Sequence, residues 1–374
     1  MSSQATKLQQ LSALGQSVWV DFISRESVRG GHLQELIDQF SVVGATSNPT
    51  IFQKAMSEGN AYDEQLSELI TQGKSVEEAF WAMAERDIKD ACDVFHPTWE
   101  ASAKRDGYVS LEVDPRLAYD TLRTYREAMH LHETLDRPNL LVKIPATKPG
   151  LAAIEDVVAK GHSINVTLIF SLQRYAEVAE SYIRGIERLV AEGGDPSKVA
   201  SVASFFVSRI DTEADRRLEE LSPAHPAAKE LQGKLAVANA RLAYRHYLEA
   251  FKGARWEYLL GKGATPQRVL WASTSTKNPA YPDTLYVDEL IGPETVNTMP
   301  EETIEDFQDH GTPQPRLQMG LEDAERVMDE LERVGVDYDD VTDTLEREGV
   351  EKFSASFDEL IQALANKQKS LAAA

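Results

Sequence analysis

The chain alternates short apolar runs, rich in β-branched residues, with longer segments in which apolar residues recur every three or four positions. Short runs of this kind are typical of buried strands, and the periodic segments are typical of amphipathic helices. The pattern predicts strands at Ser17–Ile23, Val42–Thr46, Tyr108–Val113, Asn139–Pro145, Ser163–Ile169, Val199–Val207, Arg268–Ser273 and Thr284–Leu290. It predicts intervening helices at Gly31–Phe40, Ala118–Thr134, Gly150–Lys160, Leu172–Glu192 and Pro226–Ala250.

Strands separated by single helices imply right-handed crossovers and a parallel sheet. Eight such units have the size of a (β/α)8 TIM-type barrel of the α/β class. An open, doubly wound sheet is the alternative, but no Gly-x-Gly-x-x-Gly motif follows any predicted strand. The connections Ser47–Gly107 and Ser208–Pro266 are long enough to hold two or more inserted helices each.

The pattern changes after Leu290. Four prolines fall between Gly292 and Arg316, and helical periodicity follows at Leu317–Val334, Tyr338–Glu348 and Val350–Asn366. We therefore expect a single (β/α)8 barrel domain over residues 1–374. Its strands would occupy about residues 17–290, and a helical C-terminal extension about residues 291–374.

Charge and composition restrict the partners. The chain has 39 Lys and Arg against 61 Asp and Glu, a net charge of −22, which argues against nucleic acid and anionic membranes. No run approaches the roughly 20 apolar residues that span a bilayer. The only cysteine, Cys92, cannot form an internal disulfide, and Met1–Gln16 lacks a signal-peptide pattern, so we expect a cytoplasmic protein. Cys92 fits a packed helix face better than a catalytic thiol.

Polar residues interrupt five of the predicted strands. They are Ser110 and Glu112, Asn165 and Thr167, Ser204 two positions before Phe206, Lys143, and Asp21. A buried unpaired charge is costly, so these groups must contact one another, and in a barrel they converge on the axis. Lys143, Glu112 and Thr167 fall toward the carboxyl ends of their strands, where barrel enzymes have their active sites, whereas Asp21 is expected deeper. A structural ion-pair network is the alternative.

Lys143 lies in the apolar run Leu-Leu-Val-Lys-Ile-Pro. Burial among apolar neighbours disfavours the charged ammonium and favours a nucleophilic amine. Such a lysine condenses with a ketone to a Schiff base, which then accepts electrons during C–C cleavage. Asp21 and Glu112 could divide the acid and base steps of that reaction.

These residues stand in motifs that closely resemble the transaldolase family. The motifs are Gly44-Ala45-Thr46-Ser47-Asn48-Pro49-Thr50, Ser110-Leu111-Glu112-Val113-Asp114, Val142-Lys143-Ile144-Pro145-Ala146-Thr147, Asn165-Val166-Thr167-Leu168-Ile169-Phe170-Ser171 and Trp271-Ala272-Ser273-Thr274. They follow in the family's order and extend from Trp19 to beyond Asn297-Thr298-Met299-Pro300, most of the chain.

The resemblance implies a Schiff-base transferase of the pentose phosphate pathway. Such an enzyme moves a dihydroxyacetone unit from sedoheptulose 7-phosphate or fructose 6-phosphate to glyceraldehyde 3-phosphate or erythrose 4-phosphate, without a cofactor or metal. Lys143 resembles the Schiff-base lysine, and Asp21 the acid/base at the cleaved bond. Glu112 and Thr167 resemble the pair that manages proton transfer through water during imine formation. Asn48 and Asn165 resemble donors to the dihydroxyacetone moiety, and Thr46, Ser110 and Ser204 resemble pocket residues.

Four further positions concern specificity and phosphate binding. Phe206 matches an aromatic residue without a hydroxyl, whereas the related fructose 6-phosphate aldolases have tyrosine there; transfer is thus favoured over simple cleavage, although ordinary core packing also explains a phenylalanine. Arg209 resembles a phosphate-binding arginine. The second such arginine aligns with Lys277, and Lys277 and Ser275 are expected to bind the substrate there. A lysine keeps the charge but loses the bidentate fork.

Two other functions stay open at this point. A pyridoxal phosphate enzyme also uses a lysine Schiff base, but its cofactor would give the purified protein a visible absorbance. A non-catalytic binding role would require the polar interior to be purely structural. The sequence does not indicate an oligomeric state.

Overall fold

The structure, a computed structural model, describes residues 5–373. In this part of the chain eight strands form one closed sheet, in the order in which they occur in the sequence. They are β1 (Gln16–Val20), β2 (Val42–Thr46), β3 (Tyr108–Glu112), β4 (Leu140–Pro145), β5 (Ile164–Ile169), β6 (Ser201–Phe206), β7 (Arg268–Ala272) and β8 (Thr295–Met299).

Helices connect the strands and continue beyond the last one. They are α1 (Lys7–Ala13), α2 (Arg25–Arg29), α3 (His32–Phe40), α4 (Pro49–Ser57), α5 (Asp63–Thr71), α6 (Val76–Ala101), α7 (Thr121–Leu135), α8 (Lys148–Ala159), α9 (Leu172–Ala191), α10 (Ser208–Leu221), α11 (Leu235–Ala250), α12 (Gly253–Leu260), α13 (Leu285–Glu289), α14 (Glu301–His310), α15 (Leu321–Val334) and α16 (Tyr338–Ala373).

The strands run parallel, and the barrel closes where β8 pairs with β1, with Val18 opposite Asn297. All residues of β4 are buried, because helices cover the outside of the barrel and side chains fill its interior. The predicted α/β class and (β/α)8 barrel are confirmed. The predicted insertions are present as well: α4, α5 and α6 lie between β2 and β3, and α10, α11 and α12 lie between β6 and β7.

The predicted position of the eighth strand is wrong. Thr284–Leu290 contains the short helix α13, in which Tyr286 and Val287 are buried, and the strand that closes the barrel is β8. A short apolar run cannot be assigned to strand or helix by periodicity alone. The barrel therefore extends to Met299 instead of residue 290, and the helices that follow it begin at Glu301 instead of residue 291.

The predicted break in the last helix is also wrong. The segments Tyr338–Glu348 and Val350–Asn366 belong to one helix, α16, which continues through Gly349. A Cβ atom on Gly349 would lie 2.9 Å from Leu168 Cδ2, beside the end of β5. The glycine therefore permits close approach of α16 to the barrel and does not end the helix.

Opposite ends of the barrel differ in character. At the amino end of the strands, Arg268 of β7 donates hydrogen bonds to Ser17 Oγ (2.8 Å) and Asp106 Oδ1 (3.0 Å), and its side chain is buried. A buried ion pair thus fills the interior at the amino end of the barrel. Cys92 packs in the core on α6, as predicted.

None of the helices in the described residues is long and apolar enough to cross a membrane.

Candidate active site

A cavity of about 800 Å³ opens at the carboxyl ends of the barrel strands. Most of the side chains predicted from the sequence line it, namely Asp21, Thr46, Asn48, Lys143, Thr167, Ser204, Phe206, Arg209, Ser275 and Lys277. The other three, Ser110, Glu112 and Asn165, are buried beside the cavity and are hydrogen-bonded or close to residues that line it. The fold thus brings together residues from five strands, β2 to β6, and from the segments that follow β1, β2, β6 and β7.

Lys143 lies in the middle of β4, between the fully buried Val142 and Ile144. Its side chain is 9% exposed, and its Nζ donates a hydrogen bond to the backbone oxygen of Ser47 (2.7 Å). The amino group therefore reaches the cavity from an apolar wall and is held at a defined position. A primary amine in this setting can attack a carbonyl carbon.

Glu112 ends β3 and is the direct neighbour of Lys143 in the sheet register. Its Oε2 lies 3.5 Å from Lys143 Nζ, and its Oε1 accepts a hydrogen bond from Thr167 Oγ1 (3.3 Å). Burial raises the pKa of Glu112, although Lys143 and Thr167 oppose that effect. A carboxyl group with a raised pKa is suited to donate and accept a proton beside the amine.

The buried side-chain amide of Asn165 connects β5 to β3 and β6, close to Glu112. Asn165 of β5 accepts a hydrogen bond from Ser204 Oγ (2.7 Å) and donates one to Ser110 Oγ (3.2 Å). Asn165 is completely buried and does not line the cavity. Its amide therefore holds Ser110 and Ser204 in place.

Asp21 is not deep in the barrel, which corrects the prediction. β1 ends at Val20, so Asp21 stands just beyond the strand, at the same edge as Glu112. Its Oδ1 accepts a hydrogen bond from Thr46 Oγ1 (2.7 Å), which also contacts Thr298 Oγ1 (2.8 Å). The carboxylate therefore faces the cavity two strands away from Glu112, with β2 between them.

Asn48 has a structural task as well as a place in the cavity. It is the N-cap of α4, and its Oδ1 accepts a hydrogen bond from the Ile51 N–H (3.0 Å). Pro49 follows in the first turn, where a missing N–H costs nothing. The motif Asn48-Pro49-Thr50 thus starts a helix at the cavity wall.

Two cations lie at one side of the cavity. The Arg209 guanidinium packs over the rings of Phe206 (5.3 Å) and Phe353 (5.9 Å), and burial lowers its pKa. Within residues 5–373 no carboxylate lies within ion-pair distance of Arg209 or Lys277. Lys277 is exposed and donates a hydrogen bond to Ser275 Oγ (2.6 Å). Unpaired cations at the mouth of an acidic protein are suited to bind an anion.

The family model for transaldolase/fructose-6-phosphate aldolase matches residues 18–364. The chain belongs to this family.

Curated relatives agree with the family assignment over the full length. The chain is 53% identical to a transaldolase of Mycobacterium ulcerans (strain Agy99) over 374 residues, covering 100% of both chains. It is 54% identical to a transaldolase of Parafrankia sp. (strain EAN1pec), covering 98% of this chain and 99% of the relative. A transaldolase of Mycobacterium tuberculosis (strain H37Rv) is 53% identical, with 97% of each chain covered. The predicted transaldolase family and the prediction of an enzyme, a transferase, are confirmed.

Sequence reasoning missed several residues that line the cavity. Thr298 was overlooked because the eighth strand was placed too early, although it stands in the family motif Asn297-Thr298-Met299-Pro300. Phe353 comes from α16, and no local signal in that helix indicates the cavity. His32 and Glu301 also line it, and His32 Nε2 lies 2.9 Å from Glu301 Oε2. That carboxylate raises the pKa of His32 by hydrogen bonding.

The described residues contain no cluster of three or more His, Cys, Asp and Glu placed to hold a metal ion.

Proposed function

We propose that the protein is a transaldolase of the pentose phosphate pathway that forms a Schiff base on Lys143. It would transfer a dihydroxyacetone unit from sedoheptulose 7-phosphate or fructose 6-phosphate to glyceraldehyde 3-phosphate or erythrose 4-phosphate. The observation that carries the proposal is the buried Lys143 amine, 3.5 Å from the Glu112 carboxyl group in a cavity of this family's barrel.

In the first step, Lys143 Nζ attacks the ketose carbonyl carbon, a C–N bond forms, and the carbonyl oxygen leaves as water. Oxygen must gain two protons before it leaves, and nitrogen must lose protons. Glu112 is placed to transfer these protons, because its carboxyl group lies beside the Lys143 amine and accepts a hydrogen bond from the Thr167 hydroxyl. Its raised pKa suits a group that must both donate and accept.

In the second step, Asp21 removes the proton from the hydroxyl beside the bond to be cleaved. The C–C electron pair moves toward the iminium, and an aldose phosphate departs. The dihydroxyacetone unit stays on Lys143 as an enamine and adds to a second aldehyde, with the proton returned by Asp21. Thr46 orients Asp21, and Asn48 and Ser204 line the space for the three-carbon unit, with Ser110 and Asn165 behind them.

The sugar phosphate places its phosphate near Arg209, Ser275 and Lys277, which line the same side of the cavity. Phe206 lines the cavity beside the Arg209 guanidinium (5.3 Å), and it carries no hydroxyl to protonate an enamine. Transfer to a second aldehyde is therefore favoured over release of free dihydroxyacetone. A cytoplasmic location and the absence of nucleic acid as a partner stay predictions.

Borohydride trapping with fructose 6-phosphate tests the proposal. Mass spectrometry of the peptides should find the reduced three-carbon adduct on Lys143, and Lys143→Ala and Lys143→Arg should form none, since a guanidinium does not condense with a ketone. Lys160→Ala, which removes an exposed lysine paired with Glu192, is the matched control and should behave like the wild type. An adduct on another lysine, or rapid release of dihydroxyacetone without an acceptor, would overturn the proposal.

A further inference from the structure

Helix α10 carries two aspartates, Asp211 and Asp215, that stand one turn apart and take no part in the proposed reaction. Neither of them lines the cavity. Residues four apart on a helix share a face, so both can contact the same neighbouring segments. Asp211 is 1% exposed, which is an expensive place for a carboxylate unless hydrogen bonds compensate.

Each carboxylate accepts two hydrogen bonds, one from a backbone N–H group and one from a tyrosine hydroxyl group. Asp211 accepts one from the Ala236 N–H (2.7 Å) and one from the Tyr286 hydroxyl (2.9 Å). Asp215 accepts one from the Gly233 N–H (2.8 Å) and one from the Tyr281 hydroxyl (2.6 Å). Each carboxylate therefore joins α10 to the start of α11 and to the connection between β7 and β8.

The contact between Tyr281 and the backbone at position 233 requires a glycine. Gly233 has φ +71°, and a Cβ atom there would lie 2.7 Å from Tyr281 Cζ. Only glycine satisfies both the backbone conformation and the approach of the ring. The Tyr281 ring is thereby seated against the backbone whose N–H group binds the same carboxylate.

The two tyrosines stand on the segment that carries Ser275 and Lys277. Hydrogen bonds within the segment link its two ends: Thr276 Oγ1 donates to the Pro282 oxygen (2.9 Å), and the Tyr281 N–H donates to the Asn278 oxygen (3.1 Å). A shift at Tyr281 is therefore transmitted to Lys277. The carboxylates, in turn, follow Arg209 by two and six positions on the same helix.

We propose that the pairs Asp211–Tyr286 and Asp215–Tyr281, here called the tyrosine clamp, are positioning residues that hold Lys277 and Ser275 at a fixed separation from Arg209. The clamp thereby sets the affinity for the phosphate end of the substrate. This inference rests on the proposed function, because it takes the side of the cavity with Arg209 and Lys277 as the phosphate subsite.

A clamp that only stabilises the fold and a clamp that positions the phosphate-binding residues lead to different expected results. Loss of stability alone would lower the melting temperature and leave the binding of all substrates unchanged. Loss of position would weaken only those ligands that carry phosphate, since the amine and both catalytic carboxyl groups stand on other strands. The exposed pair between His310 and Asp283 also contacts this segment, but such surface pairs contribute little.

Tyr281→Phe and Tyr286→Phe remove single hydroxyl groups and keep both rings. The matched control is Tyr244→Phe, whose hydroxyl donates to the Pro293 oxygen (2.9 Å) at the far end of the same connection, next to the start of β8. For each clamp variant we expect KM for fructose 6-phosphate and the inhibition constant of inorganic phosphate to rise about tenfold, because small misplacement of binding groups is costly. We expect kcat and the KM of unphosphorylated D-glyceraldehyde as acceptor to match those of the control.

The outcomes separate the two proposals. If the wild type does not transfer from fructose 6-phosphate to erythrose 4-phosphate, the proposed function fails and the clamp's role fails with it. If the wild type is active but the clamp variants match Tyr244→Phe in KM and phosphate inhibition, the clamp inference alone is wrong. Should Tyr281→Phe not fold, Asp215→Asn takes its place with the same expected split between KM and kcat, because its single amide oxygen cannot accept from both the Gly233 N–H and the Tyr281 hydroxyl.

Discussion

Replacing Glu112 by glutamine separates imine formation from C–C cleavage. Glutamine has nearly the same shape, and its oxygen can still accept the Thr167 hydroxyl hydrogen bond. The variant loses the titratable carboxyl group beside Lys143, and with it the negative charge of the ionised form and the acidic proton of the neutral form. Because glutamine fills the same space and keeps an acceptor for the Thr167 hydroxyl, the variant should stay folded.

The size of the effect follows from the distance between the two groups. A cationic Schiff base at the lysine nitrogen would lie near 3.5 Å from Oε2, as Nζ does now. At an effective dielectric constant of about 20, that attraction is about 5 kcal/mol before desolvation is subtracted. Loss of a proton-transfer group costs about 10²- to 10⁴-fold, or about 2.7 to 5.4 kcal/mol. Both estimates predict that Glu112→Gln slows imine formation at least about 100-fold.

Rapid mixing with fructose 6-phosphate, followed by borohydride quenching and mass spectrometry, measures this rate directly. Glu155→Gln is the control for the chemical change alone, because Glu155 binds Arg184 and Arg188 on the outer helices. Its adduct should form at the wild-type rate. Trapping by Glu112→Gln at that same rate, with the thermal unfolding of both variants unchanged, would refute the role given to Glu112.

Three further predictions follow from the structure. Asp21→Ala should accumulate the trapped adduct while transfer falls about 100-fold or more, because Asp21 acts after imine formation; a folded variant that forms no adduct would contradict this order. Lys277→Ala should raise KM for fructose 6-phosphate about tenfold or more and Lys277→Arg should restore it, because a charge-assisted phosphate contact is lost and regained; an equal effect on unphosphorylated D-glyceraldehyde would place the second cation elsewhere. Burial and, secondarily, His162 lower the pKa of His132 to about 3. The pKa of His132 in the folded protein is below its value in the unfolded chain. The contribution of neutral His132 to the free energy of unfolding is therefore complete above about pH 6.5. It is lost as the pH falls from 6.5 toward 3, and the loss reaches about 2 kcal/mol at pH 5. Urea unfolding of His132→Gln at pH 7 and pH 5 should show a smaller pH effect than the wild type, and an unchanged difference would refute this assignment.

Much of the barrel was determined by the sequence alone. In a parallel barrel the strands are buried on both faces, so each appears as a continuous apolar run, and a polar residue within such a run is conspicuous. Lys143, Glu112, Thr167 and Asn165 were found for that reason, and the structure brings them together. Parallel strands bring their carboxyl ends to one edge, which made the location of the cavity predictable as well.

The eighth strand shows where a local pattern fails. β8 reads Thr-Val-Asn-Thr-Met and lacks a continuous apolar run, because Thr298 contacts Thr46 and Asn297 accepts a hydrogen bond from Thr274 within the barrel. The apolar run Thr284–Leu290 fits the pattern of a strand instead, since seven residues contain too few periods to separate helix from strand. Only closure of the sheet against β1 identifies the true strand.

The tertiary structure alone decided which distant residues complete the site. Phe353 reaches the cavity because α16 continues through Gly349 and packs against Leu168, more than 180 residues earlier in the chain. The tyrosine clamp likewise joins α10 to a segment about 70 residues later. Hydrophobic periodicity reports which face of an element is buried, but it carries no information on which other element covers that face. That choice depends on the packing of the complete chain, because side-chain contacts form only where the folded elements meet.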